Sequence, residues 1–405
     1  MIATIDKSVA TGKVFAPPSK SMAHRLLICA GLADGKSTVK NIAFSQDILA
    51  TLDCLEAIGA KYTVSGDTVE ICGKSPKSIS GDITACCRES GSTLRFFIPI
   101  MLLCGNNCSL TGSEYLLKRP LNVYENICKK QNLTFDLSDN ELLLKGPLQA
   151  GEFVIDGGIS SQFISGLLFA LPLLETDSTI KIIPPIESRS YINMTLSALK
   201  TFGINADWID ETTISVCGNQ KYNNADVVVE GDYSNAAFYE AFNCVGGSIE
   251  VLGLNTESLQ GDKVFYDCFD KLKKGRPLID ISDCPDLAPV LLTLASLFNG
   301  AEFTGTKRLE IKESNRGKVM AEELAKFGAD IKVYDNSITV NKTELHAPVS
   351  VLSGHNDHRI VMSLSVISSV YGGIISGCEA VSKSFPDFFD KIKSLGVKVV
   401  LNENQ

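Results

Sequence analysis

The sequence predicts an α+β protein with two lobes, each built from three similar units. Three observations lead to this prediction. The chain has 405 residues, which is more than a single ordinary core accommodates. A local pattern, in which a helical run is followed by Gly and then by an apolar strand, recurs along the chain. With two degenerate copies included, the cap positions of this pattern are 59, 132, 203, 275, 328 and 396, so the copies are 53 to 73 residues apart.

The elements of each copy follow from its residue types. Residues 55–60 read Leu-Glu-Ala-Ile-Gly-Ala and lead into the strand-forming residues 62–64, and the copies that end at Gly203, Gly328 and Gly396 have the same form. The Gly suits a position of positive φ just after a helix, and the apolar residues that follow it suit a strand. Asn132 and Gly275 cap the degenerate copies. Units of this length exceed solenoid repeats and can bury their own helix face.

The lobe boundaries are predicted from the first strand and from a polar stretch. Residues 4–14 read as a strand that precedes the first full unit, and residues 221–225 are polar. If the first strand pairs with the C-terminal half, the chain crosses between lobes near residues 16 and 227. We therefore expect residues 1–15 with 228–405 to form one discontinuous lobe and residues 16–227 to form the other.

Composition excludes several classes of protein. A formal net charge of −9 disfavours nucleic acid and anionic membranes as partners. The longest apolar run, residues 96–104, is too short to span a bilayer, and the start shows no secretory signal. Thirteen cysteines, an odd number without a framework spacing, are typical of free thiols in a reducing cytosol. We expect a cytoplasmic protein, monomeric, with no nucleic-acid or membrane partner.

Three motifs resemble known sites but lack their spacing. Residues 31–37 have three residues between glycines where a P-loop needs four, and the residues before them read as a helix. Cys104 and Cys108 have no second pair at ligand spacing. His355 and His358 lie three residues apart, without further ligands at a recognisable spacing. We expect no metal site.

Basic residues recur beside Ser or Gly where helices are expected to begin. Such a helix start combines free N–H groups, the positive end of the helix dipole and a formal charge, which suits anions. Each cluster alone is typical of an ordinary cap, but five in one acidic protein favour an anion site. The five clusters span residues 17–25, 89–95, 118–120, 157–163 and 187–191, and the fourth offers neutral Ser and Gln side chains in place of a cation.

The second half of the chain adds carboxylates to the cations. Asp286 lies at the expected start of a helix, and Lys312, Glu313 and Arg316 have a spacing that places all three on one side of a helix. A surface ion-pair ladder is the usual outcome of such spacing, and an acid–base site is the alternative.

Together and in order, these stretches resemble the enolpyruvyl transferase family over nearly the whole chain. The family fold has two lobes of three βαβαββ units each, an inside-out α/β barrel-like architecture, with the active site in the cleft between them. The matching stretches are residues 19–21 with Arg25, 90–95, 118–120, 160–162, 229–232, 285–286, 312–316, 356–359 and 383–387.

The resemblance implies a transferase of the shikimate pathway, which supplies aromatic amino-acid biosynthesis. Such an enzyme moves the enolpyruvyl group of phosphoenolpyruvate to the 5-hydroxyl of shikimate 3-phosphate and releases phosphate, with no metal or organic cofactor. By resemblance, the residues that bind shikimate 3-phosphate are Lys20, Ser21, Arg25, Ser160, Ser161, Gln162, Ser188, Tyr191, Asp286 and Lys312. Those that bind phosphoenolpyruvate are Lys20, Gly91, Arg119, Gln162, Arg316, Arg359 and Lys383. The catalytic residues are Asp286, Glu313, Lys20 and Lys312.

The chemistry explains why such residue types are needed. Two phosphates and two carboxylates repel one another unless fixed cations offset their charge. Addition across the double bond needs a proton donor and a proton acceptor. Glu313 is the candidate acid and Asp286 the candidate base, or the reverse. Lobe closure is expected to exclude water from the cationic intermediate.

Two other functions compete with this one. The first is the sister reaction on UDP-N-acetylglucosamine, whose enzymes have a catalytic Cys in a loop aligned near residues 115–119. This chain has no Cys between Cys108 and Cys128. The second is a non-catalytic anion-binding protein on the same scaffold, which would tolerate the loss of Asp286 and Glu313.

Overall fold

The computed structural model describes residues 1–79 and 81–402. The strands are β1 (Ile2–Ile5), β2 (Thr11–Phe15), β3 (Lys36–Lys40), β4 (Lys61–Ser65), β5 (Thr68–Cys72), β6 (Ile83–Cys86), β7 (Asn107–Thr111), β8 (Thr134–Leu137), β9 (Glu141–Lys145), β10 (Glu152–Asp156), β11 (Ser178–Ile183), β12 (Ala206–Trp208), β13 (Thr213–Val216), β14 (Asp226–Val228), β15 (Ser248–Leu252), β16 (Leu278–Asp280), β17 (Ala301–Thr304), β18 (Asp330–Val333), β19 (Ser337–Asn341), β20 (Leu352–Ser353), β21 (Gly373–Ser376) and β22 (Val399–Asn402).

The α-helices alternate with these strands for most of the chain. They are α1 (Lys20–Leu32), α2 (Gln46–Ala57), α3 (Gly91–Met101), α4 (Glu114–Leu117), α5 (Asn122–Lys130), α6 (Ser161–Ala170), α7 (Arg189–Thr201), α8 (Tyr233–Cys244), α9 (Phe265–Lys274), α10 (Ala288–Leu297), α11 (Arg316–Ala325), α12 (His358–Tyr371) and α13 (Phe388–Ser394). The mixture of helices and sheets confirms the predicted α+β class.

The chain forms two compact units, each with its own apolar core. The continuous unit is Pro18–Glu230, and the discontinuous unit joins Met1–Pro17 to the part of the chain from Gly231 onward. The predicted single strand over residues 4–14 is wrong, because β1 and β2 are separate strands in different sheets. The chain turns between them at an exposed polar segment, where the Ser8 hydroxyl donates to the Asp6 carbonyl at 2.8 Å.

Three sheets of one design surround the core of the continuous unit. Their strand orders are β14-β3-β5-β4, β6-β7-β9-β8 and β10-β11-β13-β12. In each sheet the first two strands are parallel and the last two are antiparallel additions. A parallel pair needs a crossover, which α3 provides between β6 and β7 and α6 provides between β10 and β11, while α1 leads into β3. These helices are buried on most sides, which explains their apolar sequences.

The discontinuous unit contains two more four-stranded sheets of this kind and one shortened sheet. The full sheets have the orders β16-β17-β19-β18 and β20-β21-β1-β22. The third sheet, within the described residues, contains only the parallel pair β15-β2. Only residues 275–277 lie between α9 and β16, too few for the two added strands. The predicted repeat is therefore confirmed, with one of its six copies shortened.

The predicted caps after the helices are confirmed at five of six positions. Gly59, Asn132, Gly203, Gly328 and Gly396 all have positive φ, between 54° and 97°. At the sixth position the prediction is wrong, because Gly275 has a φ of 172° and continues as extended chain. In the described residues no helix is long and apolar enough to cross a membrane.

Candidate active site

Serines cap three of the helix starts that the sequence singles out. Ser19, Ser90 and Ser160 precede α1, α3 and α6, and each side-chain oxygen accepts a bond from a first-turn N–H. These caps satisfy one N–H each and leave the positive ends of three buried helices beside polar side chains. Ser161 then opens α6 and is buried. The local sequence thus builds three helix starts suited to anionic ligands.

Arg25 connects several of the predicted binding residues in the continuous unit. Its side chain is 3% exposed. It donates to the Ser21 carbonyl at 2.6 Å, to the Tyr191 carbonyl at 3.0 Å and to the Thr195 hydroxyl at 2.8 Å. Burial lowers the pKa of Arg25 to about 10, so the guanidinium remains charged at neutral pH. A cation fixed in this way ties α1 to α7.

Lys20 stands at the start of α1 with a carboxylate partner. Its Nζ lies 2.7 Å from Asp47 Oδ2, and both side chains are mostly buried. The Asp47 carbonyl also accepts from the Thr93 hydroxyl at 3.4 Å. The first turn of α3 is thereby connected to the partner of Lys20. Asp47 was not predicted from the sequence, because it lies outside the basic clusters.

Gln162 is held between two other polar groups. Its side-chain oxygen accepts from Arg95 at 2.7 Å, and its amide donates to the Ser92 hydroxyl at 2.8 Å. Arg95 is buried and also donates to the Pro120 carbonyl at 3.4 Å. Arg95 lies within the stretch 90–95, from which no role for it was predicted. Here it orients Gln162 and joins α3 to the segment after Arg119.

The remaining residues predicted for the continuous unit lie at helix starts or close to them. A Cβ at Gly91 would lie 2.5 Å from Arg119 Nη1, so only Gly permits this approach without a shift. The Arg119 guanidinium also lies over the Tyr115 ring at 5.5 Å. Ser188 is buried with a φ of 56° immediately before α7, and Tyr191 lies in the first turn of that helix.

In the discontinuous unit, Asp286 is surrounded by three cations. Its carboxylate oxygens lie 2.7 Å from Arg316 Nη1, 3.0 Å from Arg359 Nη2 and 3.2 Å from Lys312 Nζ. Burial by itself raises the pKa of Asp286, but the charges of Arg359, Lys312 and Arg316 hold it well below its usual value. The carboxylate is therefore ionised at neutral pH.

Arg316 is the centre of this cluster and is 1% exposed. Besides Asp286, it donates to Glu313 Oε2 at 2.6 Å and to Asp357 Oδ2 at 2.9 Å. Burial opposes its charge, but the three carboxylates raise the pKa of Arg316 well above its usual value. With three carboxylate partners, of which Asp357 is fully buried, its orientation is fixed before any ligand binds.

The route by which these residues meet differs from the prediction. Lys312 and Glu313 were expected to share a helix face with Arg316. Instead α11 begins at Arg316, capped by Asn315, and the other two residues precede it. The helical spacing was therefore the wrong reason for grouping them. The turn before α11 brings them together, and the buried Asp357 receives both Arg316 and the Ser314 hydroxyl.

Two more predicted cations lie near this cluster. Arg359 Nε and Nη1 are buried without a hydrogen-bond partner in the described part of the chain, so two donors of a buried guanidinium remain available. Lys383 Nζ donates to the Asn356 carbonyl at 2.9 Å.

The pKa of Lys312 is lowered, mainly by burial. The positive charges of Arg308 and Arg316 lower it further, whereas the negative charge of Asp286 raises it.

Asp262 is a buried acid that the sequence analysis missed. It is 4% exposed, and the Ser234 hydroxyl donates to it. Burial and the negative charge of Asp286 raise the pKa of Asp262 to about 7, although Arg359 opposes this. No sequence signal marks it, because it stands alone in a short 3-10 helix, Gly261–Val264.

Replacing Asp262 by Asn should stabilise the protein at pH 8 and have little effect at pH 4. The folded-state pKa of Asp262 lies above the unfolded value, so the folded state binds an extra proton between about pH 4 and 7, and stability falls as pH rises through this range. We expect a gain of about 1 to 4 kcal/mol at pH 8, measured by urea unfolding. Asp267→Asn on the exposed side of α9 is the control. Equal effects at both pH values would contradict the assignment.

Potential metal ligands and free thiols are the next groups to consider. No group of three or more His, Cys, Asp or Glu side chains is placed to hold a metal ion in the part of the chain that the structure describes. His355 instead contacts Glu323 at 2.9 Å. The thirteen cysteines are free, and Cys54 and Cys87 are 3.9 Å apart between their sulfur atoms.

Comparison with known proteins gives one consistent result. The family model described as EPSP synthase (3-phosphoshikimate 1-carboxyvinyltransferase) matches residues 6–276 and 269–392. A protein named 3-phosphoshikimate 1-carboxyvinyltransferase from Clostridium kluyveri is 38% identical over 417 residues, which cover 98% of this chain and 97% of the relative. One of the same name from Clostridium beijerinckii is 41% identical over 415 residues, covering 95% of each.

A solved structure supports the fold separately. EPSP synthase from Acinetobacter baumannii superimposes with a TM-score of 0.79 over 99% of this chain and 100% of that chain. At 20% identity this likeness concerns the fold alone. The family model and the curated relatives extend over nearly the whole sequence. The chain therefore belongs to the EPSP synthase (3-phosphoshikimate 1-carboxyvinyltransferase) family.

Proposed function

We propose that this chain transfers the enolpyruvyl group of phosphoenolpyruvate to the 5-hydroxyl of shikimate 3-phosphate and releases phosphate. The observation that carries the proposal is the cluster around Asp286, which combines a partly buried carboxylate with Lys312, Arg316 and Arg359. A carboxylate among fixed cations is the arrangement that proton transfer between anionic substrates requires. Membership of the family supports the same reaction.

We propose substrate contacts for the predicted site residues of each unit. In the continuous unit, the residues proposed for shikimate 3-phosphate are Lys20, Ser21, Arg25, Ser160, Ser161, Gln162, Ser188 and Tyr191, with Asp286 and Lys312 from the discontinuous unit. Phosphoenolpyruvate is assigned to Lys20, Gly91, Arg119, Gln162, Arg316, Arg359 and Lys383. The unpartnered nitrogens of Arg359 support this assignment, because a phosphate or carboxylate would satisfy them.

The proposed chemistry proceeds by addition and elimination. A bond forms between the 5-oxygen of shikimate 3-phosphate and C2 of phosphoenolpyruvate, while C3 gains a proton and the hydroxyl loses one. The bond from C2 to the phosphate oxygen then breaks, and C3 loses a proton to restore the double bond. One group must therefore give and take a proton at C3, and another must accept the hydroxyl proton.

Asp286 and Glu313 are the proposed proton-transfer residues. Asp286 is ionised because the three cations around it hold its pKa low. Bound anionic substrates would partly neutralise these cations and raise the pKa of Asp286, which suits a proton acceptor. Glu313 Oε2 lies 2.6 Å from Arg316 Nη2, which holds the carboxylate beside the cation cluster. We assign Glu313 to the carbon proton and Asp286 to the hydroxyl proton; the reverse assignment uses the same geometry.

A single assay tests the proposed function. Purified protein should release inorganic phosphate only when phosphoenolpyruvate and shikimate 3-phosphate are both supplied. UDP-N-acetylglucosamine should not replace the shikimate 3-phosphate. Release with UDP-N-acetylglucosamine, or no release with the proposed pair, would overturn the proposal.

We also propose that the protein acts as a cytoplasmic monomer. Thirteen free cysteines, most of them buried, support a reducing compartment. All residues proposed for the site lie on one chain, so a single copy can supply the complete set. Light scattering coupled to size exclusion would give the mass in solution, and a mass of twice 43.7 kDa would refute the monomer.

A further inference from the structure

The loop that joins β20 to α12 has an unusual backbone. His355 and Asn356 have φ values of 46° and 54°, so two consecutive residues that are not Gly adopt the left-handed conformation. Each such residue costs on the order of 1 kcal/mol or more, His more than Asn. A conformation of this kind persists only where the surrounding contacts hold it.

Glu323 on α11 supplies these contacts. It is 2% exposed, and both of its oxygens are occupied. Oε1 lies 2.9 Å from His355 Nε2, and Oε2 accepts the Ser353 backbone N–H at 2.9 Å. Lys326 Nζ lies within 2.9 Å of both oxygens and satisfies the charge of the carboxylate. Because the carboxylate only accepts, His355 Nε2 must carry the hydrogen.

The residues that follow in the loop hold the charged groups of two proposed substrate cations and the backbone of a third. The Asn356 carbonyl accepts from Lys383, and Asp357 binds the guanidinium of Arg316. Asp357 also caps α12 by accepting the Arg359 N–H at 3.0 Å. A change in the backbone at His355 would therefore move all three contacts together.

We propose that Glu323 and His355 form a latch that positions the phosphoenolpyruvate cations Arg316, Arg359 and Lys383. This inference rests on the proposed function. The latch residues touch no substrate; they act through the loop between Ser353 and Asp357. His355, which the sequence marks by its spacing from His358, is thereby a positioning residue and not a metal ligand.

The latch predicts an effect on one substrate and not on the other. His355→Phe keeps a ring but removes the donor, and we expect KM for phosphoenolpyruvate to rise about tenfold, the effect of losing one hydrogen bond to a charged group. KM for shikimate 3-phosphate should stay within about twofold, since most of its proposed ligands lie in the continuous unit. His355→Gln restores a donor and should bring KM for phosphoenolpyruvate back to within about threefold of the original.

A matched control and a second measurement complete the test. His346→Phe makes the same substitution at an exposed histidine outside the latch, and should leave both KM values within about twofold. Hydrogen exchange of a peptide spanning residues 352–360 should be about tenfold faster in His355→Phe, in step with the same hydrogen bond. An unchanged KM for phosphoenolpyruvate, equal rises for both substrates, no rescue by Gln, or unchanged exchange would each overturn the latch.

The design separates failure of the latch from failure of the proposed function. If the original protein releases no phosphate with the proposed substrates, the function fails, and the exchange measurement still decides whether the latch holds the loop. If the original protein turns over and His355→Phe behaves identically, the latch fails and the function stands.

Discussion

Glu313→Gln should lower kcat at least about a hundredfold, while KM for both substrates changes by less than about threefold. The amide keeps the size of the side chain and can still accept from Arg316, which lies 2.6 Å from the carboxylate. It cannot donate and recover a proton at C3. Binding therefore survives while proton transfer is lost. Steady-state phosphate release measured against each substrate in turn gives both constants.

The control for Glu313→Gln is Glu310→Gln. Glu310 is an exposed acid three residues earlier, and its replacement should leave kcat within about twofold. Near-normal turnover in Glu313→Gln would show that this carboxylate is not the one that transfers a proton.

Asp286→Asn distinguishes the two carboxylates. Both substitutions should reduce turnover by about a hundredfold or more, but each should slow a different proton transfer: Glu313→Gln the one at C3, and Asp286→Asn the one from the 5-hydroxyl. In heavy water, the residue that serves C3 controls entry of deuterium into recovered phosphoenolpyruvate. We expect Glu313→Gln to slow this entry more than Asp286→Asn does. The opposite order would exchange the two roles and leave the pair of residues unchanged.

The fold could be predicted from the sequence because its signals are local. Positive φ after a helix requires Gly or Asn, and this requirement marks Gly59, Asn132, Gly203, Gly328 and Gly396. Helix caps by Ser19, Ser90 and Ser160 are also local. The shortened sheet of β15 and β2 was not predicted, because strand pairing joins residues that are far apart in sequence and Gly275 resembles the other caps.

The basic residues of the candidate site are easier to recognise in the sequence than the acids beside them. Basic motifs at helix starts are visible in the sequence, whereas Asp47 and Asp262 stand outside any motif and acquire their roles only through tertiary packing. The grouping of Lys312 with Arg316 was correct for a different reason from the one used, since the turn before α11 brings them together around Asp286. Spacing alone does not distinguish a helix face from such a turn.

Asp357→Asn should lower the free energy of unfolding by about 3 kcal/mol or more. Asp357 is fully buried and combines three functions: it pairs with Arg316, accepts from the Ser314 hydroxyl and caps α12. Asn can preserve the cap, but it removes one of the charges that offset the burial of Arg316. A buried guanidinium that loses a carboxylate partner is costly because water cannot replace the partner.

Urea unfolding compares this variant with Asp387→Asn. Asp387 also precedes a helix, α13, but it is exposed and makes no side-chain capping bond, so its replacement should change the free energy of unfolding by less than about 0.5 kcal/mol. Equal, small effects of the two substitutions would mean that Glu313 and Asp286 suffice to offset the charge of Arg316. The loss expected for Asp357→Asn would instead make the Asp357 carboxylate a required part of the cation cluster. The other two carboxylate partners of Arg316, Glu313 and Asp286, are the proposed proton-transfer residues, so they cannot both offset the charge of Arg316 and exchange protons at the same time.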